Sequence, residues 1–317
     1  MNKVFCIGEL LIDFIGKDIN KGLSNGVNFE KKAGGAPANV AASVCKLGGS
    51  SAFLGQVGND SFGKFLVDVL KSVNIDVEMT KMEGKTTLAF VAIDENGERD
   101  FEFNRGSDGE YKFESINLNK ISINDIIHFG SATGFLDGEL KNTYFKLLEY
   151  AKEKGIFVSF DPNYRDALIT EEKLSGFIDD CKHFTKYADF MKLSDEEIKL
   201  ITGKENLESG IDELHKIGAK IICITLGSKG TLLSVNGEKR TIPSIKIKQV
   251  DSTGAGDAFV GGVLKKVANI EDKKNISLEM WENIIGYANK VGAITCTNYG
   301  AIDSMPTEEE LNIENNI

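Results

Sequence analysis

The chain has 317 residues, a formal net charge of −11 and 41% hydrophobic residues. That composition belongs to a folded globular protein with a sizeable core, and so acidic a surface argues against binding nucleic acid or an anionic membrane, either of which needs a concentrated basic patch. Cys6, Cys45, Cys181, Cys223 and Cys296 are scattered and never form a C-x-x-C pair, so the pattern predicts free thiols in a reducing cytosol rather than disulfides or a zinc site.

The N-terminal stretch MNKVFCIGELLIDFIG is interrupted by Glu9 and Asp13 and reads as neither a signal peptide nor a membrane span. Short apolar runs at 3 to 8, 51 to 57, 125 to 130, 156 to 161, 189 to 194 and 220 to 227 read as strands. Between them, Val40, Val44 and Leu47, and then Leu140, Tyr144, Leu147, Leu148 and Ala151, recur at helical spacing. This alternation predicts an α/β sandwich with a mostly parallel sheet. Residues 27 to 34 and 86 to 106 instead have the period-2 pattern of antiparallel strands, with Asn96-Gly97 as a tight hairpin turn and Phe101 and Phe103 on one face. One α/β domain over residues 1 to 317 is expected, carrying within it a small β-sheet from about 10 to 33 and 77 to 106. Hinged at Gly34-Gly35, that sheet would suit a lid.

The densest glycine segment is VDSTGAGDAFVGG, residues 250 to 262. It follows the extended run TIPSIKIKQV and leads into a helix marked by Phe259, Val263 and Val267. Gly254, Ala255 and Gly256 then form the turn into that helix, where unpaired N–H groups and the macrodipole make an anion site without Lys or Arg. A lone acid in a first turn often does no more than complement the dipole. Beside so bare a backbone, Asp257 could take a proton from an attacking hydroxyl during phosphoryl transfer. Asp251 could bind a cation or orient the loop. GKTT at 84 to 87 lacks the first glycine of a phosphate-binding loop, and GAGDAF has Phe259 where a dinucleotide fingerprint needs glycine. KKAGGAPANVAASV, residues 31 to 44, suggests a polar ligand against Gly34-Gly35, and DPNYR, residues 161 to 165, closes a strand and points into the ligand crevice. His128, His183 and His215 lie outside every motif, and no imidazole is expected in catalysis.

DSTGAGDAF, GGAPANVA, GQVGNDSFG, KLSDEE and TLGSKG together resemble the ribokinase-like (PfkB) carbohydrate kinase family over nearly the whole chain. GELLIDFIG, DPNYR and ANKVGAITCTNYGAI look most like its fructokinase branch. The resemblance implies a ribokinase-like three-layer sandwich with a small β-sheet lid, and transfer of the ATP γ-phosphate, with Mg²⁺, to a sugar's primary hydroxyl, D-fructose giving fructose 6-phosphate. By the same resemblance Asp257 is the base, Gly254, Ala255 and Gly256 are the anion hole, and Arg165 lies near the transferring phosphate. Asp13, Gly34, Gly35, Asn39 and Asn163 fall where the sugar is held, and Phe101, Phe103 and Arg105 fall on the lid above it. Lys192, Thr225, Gly227, Ser228 and Gly230 match the nucleotide segment, and Asn289 matches the helix beside the adenine. Glu197 would organise magnesium through water, although Ser194 stands where many relatives carry Asn in N-x-x-E. Asp251, Thr253, Thr295, Asn298, Gly300 and Ser304 are candidates around a monovalent cation such as potassium. A dimer through the lid is a possible assembly. Ribose, 2-keto-3-deoxygluconate or an aminoimidazole riboside are alternative acceptors. A catalytically silent sugar sensor is the non-enzyme alternative, against which the intact Asp257 and anion hole argue.

Overall fold

The computed structural model describes residues 2 to 93 and 99 to 313. Its strands are β1 (Val4–Ile7), β2 (Leu11–Gly16), β3 (Phe29–Gly34), β4 (Ser51–Val57), β5 (Thr80–Met82), β6 (Leu88–Ile93), β7 (Arg99–Asn104), β8 (Ile126–Phe129), β9 (Phe157–Phe160), β10 (Phe190–Ser194), β11 (Ile221–Thr225), β12 (Thr231–Val235) and β13 (Glu238–Ile242). Its α-helices are α1 (Gly22–Asn25), α2 (Ala36–Lys46), α3 (Ser61–Ser72), α4 (Glu139–Lys154), α5 (Glu171–Thr185), α6 (Asp195–Thr202), α7 (Leu207–Ile217), α8 (Ala255–Ala268), α9 (Leu278–Thr295) and α10 (Glu308–Ile313).

A nine-stranded sheet runs in the order β13-β12-β11-β10-β9-β8-β1-β4-β5. From β11 through β5 every neighbouring pair is parallel. Such strands read as unbroken apolar runs because helices cover both faces. In β1, Val4 and Cys6 enter one core with α2, α3, α8 and α9, whereas Phe5 and Ile7 enter the other with α4, α5, α6 and α7. The result is the expected three-layer sandwich. Among the described residues, no helix is long and apolar enough to cross a membrane.

The second sheet has the order β3-β2-β6-β7. Two antiparallel pairs, β2 with β3 and β6 with β7, lie side by side, joined through a parallel β2–β6 contact. That parallel contact arises because the chain passes back through the large sheet between β3 and β6. Phe101 and Phe103 stack on one face, with ring centroids 6.2 Å apart. The expected Asn96-Gly97 turn lies outside the described residues.

Three expectations need correcting. Residues 77 to 86 do not join the small sheet: β5 lies parallel to β4 and ends the large one, because Val77 and Met79 pack into the main cores. The large sheet also carries an antiparallel edge, β12 and β13, that the apolar-run pattern missed. β13 is EKRTI, too polar to register as a strand, and of TIPSIKIKQV only Thr241 and Ile242 are in the ladder.

Trp281, 1% exposed, stacks on Phe190 at 5.8 Å between ring centroids and so ties α9 to β10. Trp281→Ala should cost ~3–5 kcal/mol through the lost contacts and the cavity left behind. Urea unfolding followed by far-UV circular dichroism checks this, and a loss under about 1 kcal/mol would contradict the packing role.

Candidate active site

The carboxyl ends of β9, β10 and β11 face the starts of α2 and α8, so the crevice lies where open α/β sheets present their ligand sites. Gly254 caps α8 in the left-handed region at φ +75, and a Cβ there would stand 2.8 Å from that of Ala301. Glycine is therefore required both by the turn and by its neighbour. The helix begins at Ala255 and has Asp257 in its first turn, where N–H groups lack helical carbonyl partners.

Asp257 Oδ2 accepts a hydrogen bond from Asn39 Nδ2 at 2.9 Å. Burial pushes the Asp257 carboxyl up to about 6; the Asn39 bond opposes the rise, Asp161 adds to it, and Arg165 and Lys192 oppose it. The start of α8 is not free of cations, contrary to the expectation of an anion site made without Lys or Arg. Lys192 Nζ reaches the start of α8, 3.4 Å from where a Cβ on Gly256 would lie, and pairs with Asp161 Oδ2 at 3.0 Å. Burial pulls the Lys192 amine down, but Asp161, Glu197 and Asp257 outweigh it, so the group stays charged.

On the neighbouring side, the Asp13 carboxylate fills the space above Gly34: a Cβ on that glycine would lie 2.0 Å from Asp13 Oδ2. Burial raises Asp13 to about 6 against the pull of Arg165. Gly35, at φ +117, sits where a side chain would strike the carbonyl of Glu9. Asn39 is 6% exposed, and with its amide nitrogen on Asp257 its Oδ1 has no hydrogen-bond partner. A buried acceptor of this kind is costly unless a ligand hydroxyl meets it. Asn163, strained at φ +45, donates its Nδ2 to Gly130 O and its N–H to Asp161 Oδ1, both at 3.0 Å. The Arg165 side chain is exposed and donates to Tyr164 O, close enough to act on both Asp13 and Asp257. Arg105, expected over a sugar, follows directly after β7 and already has partners. Its guanidinium is held at the root of the small sheet by Asp108 and by the carbonyls of Thr133 and Asp137.

Behind α8 lies a cavity of about 470 Å³ lined by Thr225, Gly227, Ser228, Gly230, Phe259, Asn289 and Cys296 among others. Gly230 must be glycine, since a Cβ would lie 2.1 Å from Ile242 O. Asn289 lies in the wall, but its amide is spent on Thr231 Oγ1, Ile242 O and Pro243 O. Ser194 has a local role: it caps α6 in a reciprocal box with Glu197. Glu197, 5% exposed, accepts from the N–H groups of Ser194 at 2.7 Å and Tyr164 at 2.8 Å. Asp251 accepts from Thr253 and from Gly300 N–H, and Ser304 Oγ donates to Gly300 O, which gathers four of the cation candidates. The Thr295 hydroxyl instead donates to Val291 O, and the Asn298 amide to Thr297 Oγ1. Among the described residues, no three His, Cys, Asp or Glu side chains gather as a metal cluster.

Two acids escaped the sequence reading. Glu9 is buried, accepts from Ala36 N–H at 3.1 Å and from Ser131 Oγ, and is pushed by burial up to about 7. Asp161 meets Lys192. Each left a signal: a charge inside an apolar run for Glu9, and a place at the carboxyl end of a buried strand for Asp161.

Comparison with known proteins agrees with this arrangement. The family model described as pfkB family carbohydrate kinase matches residues 1 to 308. Fructokinase-1 and Fructokinase-2 of Oryza sativa subsp. japonica are 35% and 37% identical to the chain, covering 97% and 96% of it and 96% and 91% of their own lengths. The fold matches that of a fructokinase double mutant from Vibrio cholerae O395 in fructose, ADP and potassium ion bound form, with TM-score 0.86, 28% identity and 99% and 98% coverage of the two chains. It also matches aminoimidazole riboside kinase from Salmonella enterica, with TM-score 0.83, 25% identity and 98% coverage of each. Sequence, fold and the carboxylate beside a glycine-capped helix start agree, and the chain belongs to the pfkB family of carbohydrate kinases.

Proposed function

We propose that this chain transfers the γ-phosphate of Mg-ATP to the primary hydroxyl of D-fructose, giving fructose 6-phosphate. The observation that carries the reading is Asp257: a raised carboxylate fixed by Asn39 at the start of a glycine-capped helix, between a polar crevice and a nucleotide-sized cavity. The fructokinase relatives favour fructose as the acceptor. Asp13, the free Oδ1 of Asn39 and the backbone of Gly34-Gly35 hold the sugar hydroxyls, and the small sheet closes over them about that glycine pair, excluding water that would otherwise accept the phosphoryl group. Asp257 takes the proton of the attacking hydroxyl while the first-turn N–H groups of α8, Lys192 and Arg165 meet charge on the γ-phosphate. Magnesium adds neutralising charge on the phosphates. The two backbone bonds already made by Glu197 fit contact with it through water rather than directly. A potassium ion fits the Asp251, Thr253 and Gly300 corner, held largely by carbonyls.

The reaction belongs in the cytosol, which suits five free thiols. The edges of the small sheet, β3 and β7, together with Ile19 and Val27, 71% and 79% exposed, suit pairing with a second copy. Sedimentation should give a dimer at micromolar concentration; a monomer would remove this assembly.

An ADP-release assay against fructose, ribose, 2-keto-3-deoxygluconate and aminoimidazole riboside should show kcat/KM highest for fructose. A preference for any of the others would reassign the acceptor, and no turnover at all with folded protein would favour a silent sensor.

Asp257→Asn should lower kcat by about three orders of magnitude, within the 10²–10⁴ share typical of general base catalysis. Because burial raises this carboxyl when folded, its ionised form opposes folding above pH 6, and the amide should leave Tm at pH 8 unchanged or higher. The same sign gives the wild type an acid limb: kcat/KM should fall as pH drops through about 6, where Asp257 takes up a proton. Full activity in Asp257→Asn, or a profile flat down to pH 5, would remove Asp257 as the base.

A further inference from the structure

Among the described residues, the Lys192–Asp161 pair is the one buried ion pair at the crevice. Its side chains are 11% and 3% exposed, and single charges in such a place are retained only when paired. Lys192 has a choice of partners, because Asp161, Glu197 and Asp257 all act on its amine. Glu197 is occupied by the N–H groups of Ser194 and Tyr164. Asp257 is open to it apart from the bond from Asn39. The amine lies on Asp161, and Asp161 is itself fixed: its backbone N–H donates to Phe129 O at 2.9 Å and its Oδ1 accepts from Asn163 N–H.

We infer that Asp161 is a positioning residue for phosphoryl transfer: it holds the Lys192 ammonium at the opening of α8 and keeps it off Asp257, leaving that carboxylate free to receive a proton. This rests on the kinase reading above. A cation at the opening of α8 favours an arriving phosphate, whereas a cation seated on Asp257 would fix that acid in its ionised form and weaken it as a base. Asp161 separates the two effects. The groups facing Asp257 are Asn39 from α2, Asp161 and Arg165 from the segment after β9, and Lys192 from β10; Glu197 of α6 faces Lys192, and Asp13 of β2 faces Arg165. Of these, only Lys192 is both cationic and buried.

Asp161→Asn is the test, because the amide keeps an oxygen for Asn163 N–H while losing the charge that holds Lys192. Without that charge Lys192 turns to Asp257. We expect kcat to fall at least tenfold with fructose KM within about threefold, and the acid limb of kcat/KM to move about one pH unit lower. In Asp161→Asn/Lys192→Met, with no amine to collapse, the limb should rise clearly above that of Asp161→Asn, staying below the wild type only because the Asp161 charge is gone. A variant that merely loosens the fold loses activity and Tm without moving the limb, and that result would overturn the inference. So would a limb as low in the double variant as in Asp161→Asn. Carboxyl ¹³C titration of Asp257 reads the same shift without turnover. Wild-type turnover therefore judges the kinase reading, while the titration judges the pair: Lys192→Met raising the Asp257 titration more in Asp161→Asn than in the wild type supports the inference, and an equal rise in both refutes it.

Discussion

The arrangement depends on one hydrogen bond, Asn39 Nδ2 to Asp257 Oδ2, which joins residues 218 apart in sequence. It forms because α2 and α8 lie against each other at close range. A Cβ on Gly261 would stand 2.3 Å from Ser43 Cβ, and Ser43 Oγ donates to Ala258 O at 3.1 Å. Small residues at the contact let the two helices start at the same end of the sheet, so both first turns open into one crevice. Replace them with larger side chains and the sugar-facing and phosphate-facing halves of the site would separate. Glu9 secures the same end of α2 by accepting from the helix's first N–H.

A chain of net charge −11 has to hold a polyanion without a basic surface. The solution here is local. Backbone N–H groups at the start of α8 supply fixed partial charge that needs no side-chain ordering, and a buried lysine adds a full charge whose desolvation is offset by three carboxylates. The same burial that makes these charges effective raises Asp257 and Asp13 to about 6, close to the range in which a carboxylate can work as a base at neutral pH. In the proposed reaction, electrostatic stabilisation of the phosphate and tuning of the base would thus come from one buried crevice.

The parallel core was legible because buried strands announce themselves as apolar runs, and the turn into α8 because Gly254, Ala255 and Gly256 stand before an apolar helix with Asp257 in its first turn. What stayed hidden depends on contacts between distant segments. EKRTI shows no apolar run, since an exposed edge strand needs only one partner and little burial. Residues 77 to 86 read as part of the small sheet because local pattern does not say which sheet a short strand joins. Lys192 matched the nucleotide segment by motif, but its placement beside Gly256 and Asp161 requires three separate strand and helix ends to meet. That Asp108 and two carbonyls hold Arg105 at the root of the small sheet was hidden for the same reason. Ser194 in place of Asn left a doubt that the structure accounts for locally, as the cap that fixes Glu197.

The most direct test of the account is a structure of the protein with fructose and a non-hydrolysable ATP analogue. The account predicts the primary hydroxyl of the sugar within ~3 Å of Asp257, with the γ-phosphate against the first turn of α8 and Lys192 beside it. A sugar whose primary hydroxyl lies away from Asp257, or a γ-phosphate bound elsewhere, would contradict it.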